Sequence, residues 1–193
     1  VNVWAYNLNS IAMAYWVDAG MKVSGVDLKA YVAMIDTDSA YAATVEDTKA
    51  YALSAAMTVG GINLFAAGSK VSDAGSLAMG NVATNYKKTK LPTAGVYTDG
   101  KYVAQPGSKA IKLKASGKLG TTGLALQFID NSNGNAAATT SVSGGATGYA
   151  TNADLETTEI DLIISQKLGD VNLKAILMDR SFDNAAEDAR IGG

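Results

Sequence analysis

The feature that most constrains this chain is its period. Over residues 26–35, Val26, Leu28, Ala30, Val32 and Met34 alternate with Asp27, Lys29, Tyr31, Ala33 and Ile35. Successive side chains of a strand point to opposite faces, so this alternation specifies a strand with two unlike faces. The same pattern returns over residues 49–59, 109–119, 158–168 and 171–180. In each case an apolar row, such as Ile111, Leu113, Ala115 and Leu119, lies opposite a polar row, such as Lys112, Lys114, Ser116 and Lys118. Each run is about 10 or 11 residues, the length a tilted strand needs to cross the hydrocarbon core of a bilayer. Strands of soluble proteins are usually about 5 or 6 residues long.

The connections between the runs are of two kinds. Residues 21–25, Gly60-Gly61, residues 120–123 and residues 168–170 are short, and Gly60-Gly61 suits a primed two-residue hairpin turn. Longer polar stretches occupy about 37–47, 71–107, 131–156 and 181–193. The expected unit is strand, short turn, strand, long loop, repeated four times. Short turns at one end and long loops at the other are the sequence pattern of transmembrane barrels. Residues 50–69 hold no charge over 20 positions and imitate a membrane helix, but Gly60-Gly61 at the centre makes them a hairpin.

The expected fold class is therefore all-β, an antiparallel transmembrane β-barrel treated as one partial domain over residues 1–193. About nine strands are counted. Closed bacterial barrels use even strand numbers, so the expectation is a piece of a barrel of roughly 16 to 18 strands. The first residues fall inside an alternating pattern and the last in a polar stretch, so both ends are read as cuts through a longer protein. Composition agrees: 48% hydrophobic, 18% charged, 20 Gly and 2 Pro, with a mean hydropathy of +0.07. A net charge of −2 gives no footprint for nucleic acid. The alternative with the same composition is a soluble β-rich surface protein of the S-layer or adhesin type.

The N-terminal hairpin carries Trp4, Tyr6, Tyr15 and Trp16. These aromatics are expected either in an interfacial girdle at headgroup depth or in an ordinary core. Histidine and cysteine are both absent. That excludes Ser–His–Asp and Cys–His catalysis within this stretch, so no enzyme is expected here, unless a nucleophile and base come from elsewhere in a longer protein. Gly144-Gly145 lacks the Lys and following helix of a phosphate loop.

The polar rows are the candidate functional residues. Asp27, Lys29, Lys112, Lys114, Lys118, Glu159, Asp161, Lys167, Lys174 and Arg180 are expected to face inward, because a charge on the lipid face at mid-depth costs about 2–4 kcal/mol. Facing rows of acids and bases would set a transverse field that sorts solutes by charge. The alternative is a plain solvated sheet face. No cofactor is expected. Asp130-Asn131-Ser132-Asn133-Gly134-Asn135 offers hard oxygen donors for Ca²⁺ but lacks the spaced carboxylates of an EF-hand, and most such runs are simple turns. Loop 71–107, with Lys87-Lys88-Thr89-Lys90-Leu91-Pro92, either folds inward as a constriction or stays exposed.

Trp4-Ala5-Tyr6-Asn7, Ala14-Tyr15-Trp16-Val17-Asp18-Ala19 and Gly25-Val26-Asp27-Leu28-Lys29-Ala30-Tyr31 resemble the major outer-membrane porins of the Campylobacter and Sulfurimonas group. The hairpin from Ile160-Asp161-Leu162 to Lys174-Ala175-Ile176-Leu177-Met178-Asp179-Arg180 is similar to the penultimate strands of such porins. The resemblance covers most strands but not loops 71–107 and 131–156. It implies a homotrimeric, somewhat cation-selective channel in the outer membrane, passing ions and small hydrophilic solutes, with some calcium binding in the pore. The final aromatic strand of that family has no counterpart here, so the chain is read as a C-terminal half without its last strand.

Overall fold

The computed structural model describes residues 1–38, 46–80, 88–100, 102–133 and 155–182. Nine strands are present: β1 (Asn2–Leu8), β2 (Ala12–Val23), β3 (Val26–Thr37), β4 (Thr48–Val59), β5 (Ile62–Val71), β6 (Ser108–Leu119), β7 (Thr122–Asn133), β8 (Leu155–Leu168) and β9 (Val171–Phe182). They form one sheet in chain order, and all neighbours are antiparallel. The strand count and the hairpin over residues 50–69 are as the alternation predicts. Most strands have 12 residues, one or two more than the periodic runs, because the pairing continues to the edge of each turn.

Four two-residue turns close one end of the sheet. At Ser24-Gly25 and Gly60-Gly61 both central residues have positive φ (48° and 84°, 57° and 82°), the type I′ requirement. At Gly120-Thr121 and Gly169-Asp170 only the first central residue, a glycine, has positive φ, which is the II′ pattern. At the other end the connections are residues 38–47, 72–107 and 134–154, with one exception. β1 and β2 are joined there by residues 9–11 alone, with Ser10 at φ 59° and the Ile11 amide donating to the Leu8 carbonyl at 2.8 Å. β1 thus precedes the four hairpins β2–β3, β4–β5, β6–β7 and β8–β9 that the short turns predict.

The two faces differ sharply. One carries Val17, Leu28, Leu53, Leu64, Leu113, Leu126 and Leu177, left exposed on the surface. Leu53 is 68% exposed and Leu177 63%, an arrangement that water penalises and a lipid environment does not. Charges on this face (Asp36, Lys49, Lys70, Lys109, Asp130, Glu156 and Asp179) all lie toward the long-loop end. Below them runs an uncharged band that includes residues 111–119 of β6 and 171–177 of β9 on this face.

The opposite face is covered by the connection after β5. Leu77, Met79, Leu91 and Ala104 of this loop pack on Ala12, Trp16, Ala33, Ile35, Ala50, Ala52 and Val71. The same loop reaches Trp4 of β1 through Lys90, whose Nζ lies 3.4 Å from the ring centroid, and Phe182 of β9 through Tyr97, with centroids 6.2 Å apart. A flat sheet would separate β1 from β9 by about 38 Å at ~4.8 Å per strand. Residues 90 to 97 span at most ~24 Å when fully extended, and here they turn twice. The sheet therefore curls around the loop, and the loop lies on the concave, inner face.

This corrects the girdle expectation. Trp4, Tyr6 and Trp16 sit at inward positions of β1 and β2, and Trp16 is buried at 6% exposure against Tyr31. Only Tyr15 of that group faces outward. Trp16 and Trp4 serve the seat of the loop, where a large ring buries more surface than it would at an interface.

Candidate functional site: an inward loop on a charged wall

Register places the inner-face residues in rows that run across the sheet. One row is Gly20, Lys29, Ser54, Ala67, Lys112, Ile129, Glu159 and Arg180. The next, toward the short turns, is Lys22, Asp27, Ala56, Phe65, Lys114, Gln127, Asp161 and Met178. Nearer the turns, Lys118, Gly123, Ser165 and Lys174 form a third row, and Lys167 faces Asn172. All ten residues singled out in the sequence thus lie on the inner face. Alternation puts them there, because a strand has two faces and the exposed apolar row occupies the other.

The loop engages the first row. Glu159 is fully buried. Its carboxylate accepts the Val96 amide at 2.7 Å, the Tyr97 amide at 3.0 and 3.1 Å, the Thr98 amide, and the Thr98 hydroxyl at 2.7 Å. Three successive N–H groups converging on one carboxylate make an anion-binding nest, the loop counterpart of a helix N-terminus. A short turn shapes it, with the Gly95 amide donating to the Thr98 carbonyl at 2.6 Å. Glycine is required at 95 for space: a Cβ there would stand 2.6 Å from Glu159 Oε1 and 2.9 Å from Ile129 Cδ1.

Neighbouring charges are also taken up. Lys112 Nζ donates to the Ala94 carbonyl at 2.5 Å. The Arg180 guanidinium stacks 3.5 Å from the Tyr97 ring, beside Phe182, and the Tyr102 hydroxyl donates to that of Tyr97 at 2.9 Å. In the second row Asp161 is buried and accepts from Gln127 Nε2 at 2.5 Å, while Lys22 and Asp27 pair at 3.3 Å on the surface. On the other side, Thr48 and Thr89 hydroxyls donate to the Leu77 and Met79 carbonyls at 2.7 and 2.8 Å. The Ser69 and Thr93 hydroxyls are 2.7 Å apart. The loop thus has an apolar seat on β1–β5 and a polar latch on β6–β9.

Of the two readings for loop 71–107, its described part takes the inward one. Sequence reasoning found Glu159 and Arg180 but not their partners, since 62 residues separate Glu159 from Tyr97. The oxygen-rich run Asp130–Asn133 belongs to β7, where alternation sends Asp130 and Ser132 outward and Asn131 and Asn133 inward. Gly134 and Asn135 lie outside the described residues. Among the described residues no group of three His, Cys, Asp or Glu is placed to hold a metal ion.

No family model matches the sequence, and no curated protein resembles it closely enough in sequence to count as a match. Solved structures do match in shape. The outer-membrane protein OprD from Pseudomonas aeruginosa aligns with a TM-score of 0.69 and 15% identity over 94% of this chain. The fold is that of half an outer-membrane porin barrel. OccK9 (OpdG) of Pseudomonas aeruginosa aligns with a TM-score of 0.63 and 15% identity over 95% of this chain. A variant of OccD1 (OprD) gives 0.67 and 14% over 94%. The chain spans about half the length of these porins, 50%, 46% and 50% of each. That agrees with nine strands being part of a larger barrel; among the described residues no helix is long and apolar enough to cross a membrane.

Proposed function

We propose that this chain is part of an outer-membrane porin, a water-filled channel for passive diffusion of ions and small hydrophilic solutes. The observation that carries the reading is the pairing of an uncharged, exposed outer band with an inner face whose charges surround an inward-folded loop. Lipid favours the first arrangement, and a constricted aqueous lumen favours the second. Asp27, Lys29, Lys112, Lys114, Lys118, Asp161, Lys167, Lys174 and Arg180 belong to the lumen wall, and Glu159 holds the wall to the loop. The chemistry asks for no bond-making and no cofactor; the protein shapes and charges a passage. A homotrimer, with one outer wall buried between subunits, fits the porin architecture, and the motifs around Trp4, Trp16 and Asp27 favour the Campylobacter and Sulfurimonas group within it. The test is single-channel recording of the full protein in a planar bilayer. Stepwise conductance in groups of three is the expected outcome, and a protein that inserts without conducting would refute the channel.

A further inference from the structure

We infer that Lys29 and Lys114 form the charge filter of this half of the barrel and that the filter favours small anions, against the cation preference that the family resemblance implies. The inference rests on the channel reading and on which charges the loop leaves free. In the two rows level with the loop there are five bases, Lys22, Lys29, Lys112, Lys114 and Arg180, and three acids, Asp27, Glu159 and Asp161. Glu159 is spent on the Val96–Thr98 amides and is fully buried. Asp161 is buried and bonded to Gln127. Asp27 is balanced by Lys22 at 3.3 Å. Lys112 is bonded to the Ala94 carbonyl and Arg180 lies over Tyr97. The remaining two bases, Lys29 and Lys114, make no hydrogen bond or ion pair among the described residues. Lys29 is exposed and Lys114 half-exposed.

The space beside Lys114 is open. A cleft of about 400 Å³ on the inner wall is lined by Asp27, Thr58, Asn63, Phe65, Pro92 and Lys114 among others, so its rim includes both the loop and the wall. Small side chains at Ser54, Ala56 and Ala67 separate Lys29 from Lys112 and Lys114 and leave room in front of the wall. A free ammonium beside a narrow aqueous passage raises the local concentration of anions, because the low-dielectric wall focuses its field. Glu159, buried and met by three backbone amides, projects little field into the lumen.

The experiment is reversal potential in a KCl gradient, with the full protein and with Lys29→Gln, Lys114→Gln and the double variant in planar bilayers. Both positions are solvent-facing, and retention of the heat-modifiable gel band shows that each variant folds. The protein is expected to prefer chloride. The double variant is expected to lower the chloride-to-potassium permeability ratio about threefold, from the Coulomb energy of a unit charge near the ion path. The effect should shrink in concentrated salt, where screening shortens to about 3 Å. A conducting protein whose reversal potential is unmoved by the double variant, or which prefers potassium throughout, overturns the inference and leaves the channel reading intact. Absence of conductance in the unmodified protein overturns both.

Discussion

At the scale of single residues, Glu159 is the side chain on which most depends. A buried carboxylate is costly unless donors meet it, and here four donors from Val96, Tyr97 and Thr98 do so. Replacing Glu159 with Gln sets an amide nitrogen against backbone N–H groups and removes the charge. The expected cost is on the order of 3 kcal/mol in loop docking. Limited trypsin digestion should then cut faster at Lys88 and Lys90 while the barrel band persists. Unchanged digestion would show that the apolar seat alone holds the loop. Gly95→Ala should give the same phenotype through its clash with Glu159 and Ile129. The tryptophans offer a separate check. Trp4 and Trp16 face inward, so brominated lipids should leave their fluorescence unquenched when any other tryptophans are replaced by Phe. Strong quenching would restore them to the lipid interface.

At the scale of the strand, one face is apolar and exposed, as the proposed lipid contact requires, and the other carries the loop and the charges. Leu126 lies near the middle of β7 and points outward at 54% exposure. Leu126→Arg is therefore expected to destabilise the membrane-embedded protein by about 2–4 kcal/mol, read from guanidinium unfolding in vesicles. Ser116→Arg, on the inner face of the neighbouring strand β6, should cost far less. Equal costs would contradict the assignment of faces. The tight turns act at the same scale. Gly61 at φ 82° closes β4 onto β5, and a residue with a branched side chain there would strain the left-handed conformation by about 1–2 kcal/mol. The alternation made all this legible in advance, because a shift of one residue would turn every apolar side chain to the wrong face.

At the scale of the whole molecule, the sheet is a meander whose edges, β1 and β9, pair only with β2 and β8. Open edges in a bilayer leave backbone groups without partners, so the proposed porin requires β1 and β9 to be paired by further strands. The full protein is expected to need detergent once extracted. It should also run on gels as a compact band that shifts on heating. Monodispersity in plain buffer would favour the soluble surface-protein alternative instead. The match to about half of each porin compared is the architectural form of the same statement.

The sequence alone determined the strands, the turns and the sorting of residues into two faces, because these follow from a period of two and from glycines at tight connections. It placed Glu159, Lys112 and Arg180 on the correct face. It left open whether loop 71–107 turns inward, and it allowed Trp4 and Trp16 a place at the lipid interface. Those matters were decided by tertiary structure. The loop's seat is assembled from β1 to β5 and its latch from β6 to β9, so the contacts that choose its position join residues about 60 apart along the chain. No local pattern encodes such pairings. The same contacts separate the charges that anchor the loop from Lys29 and Lys114, which stay unpaired among the described residues.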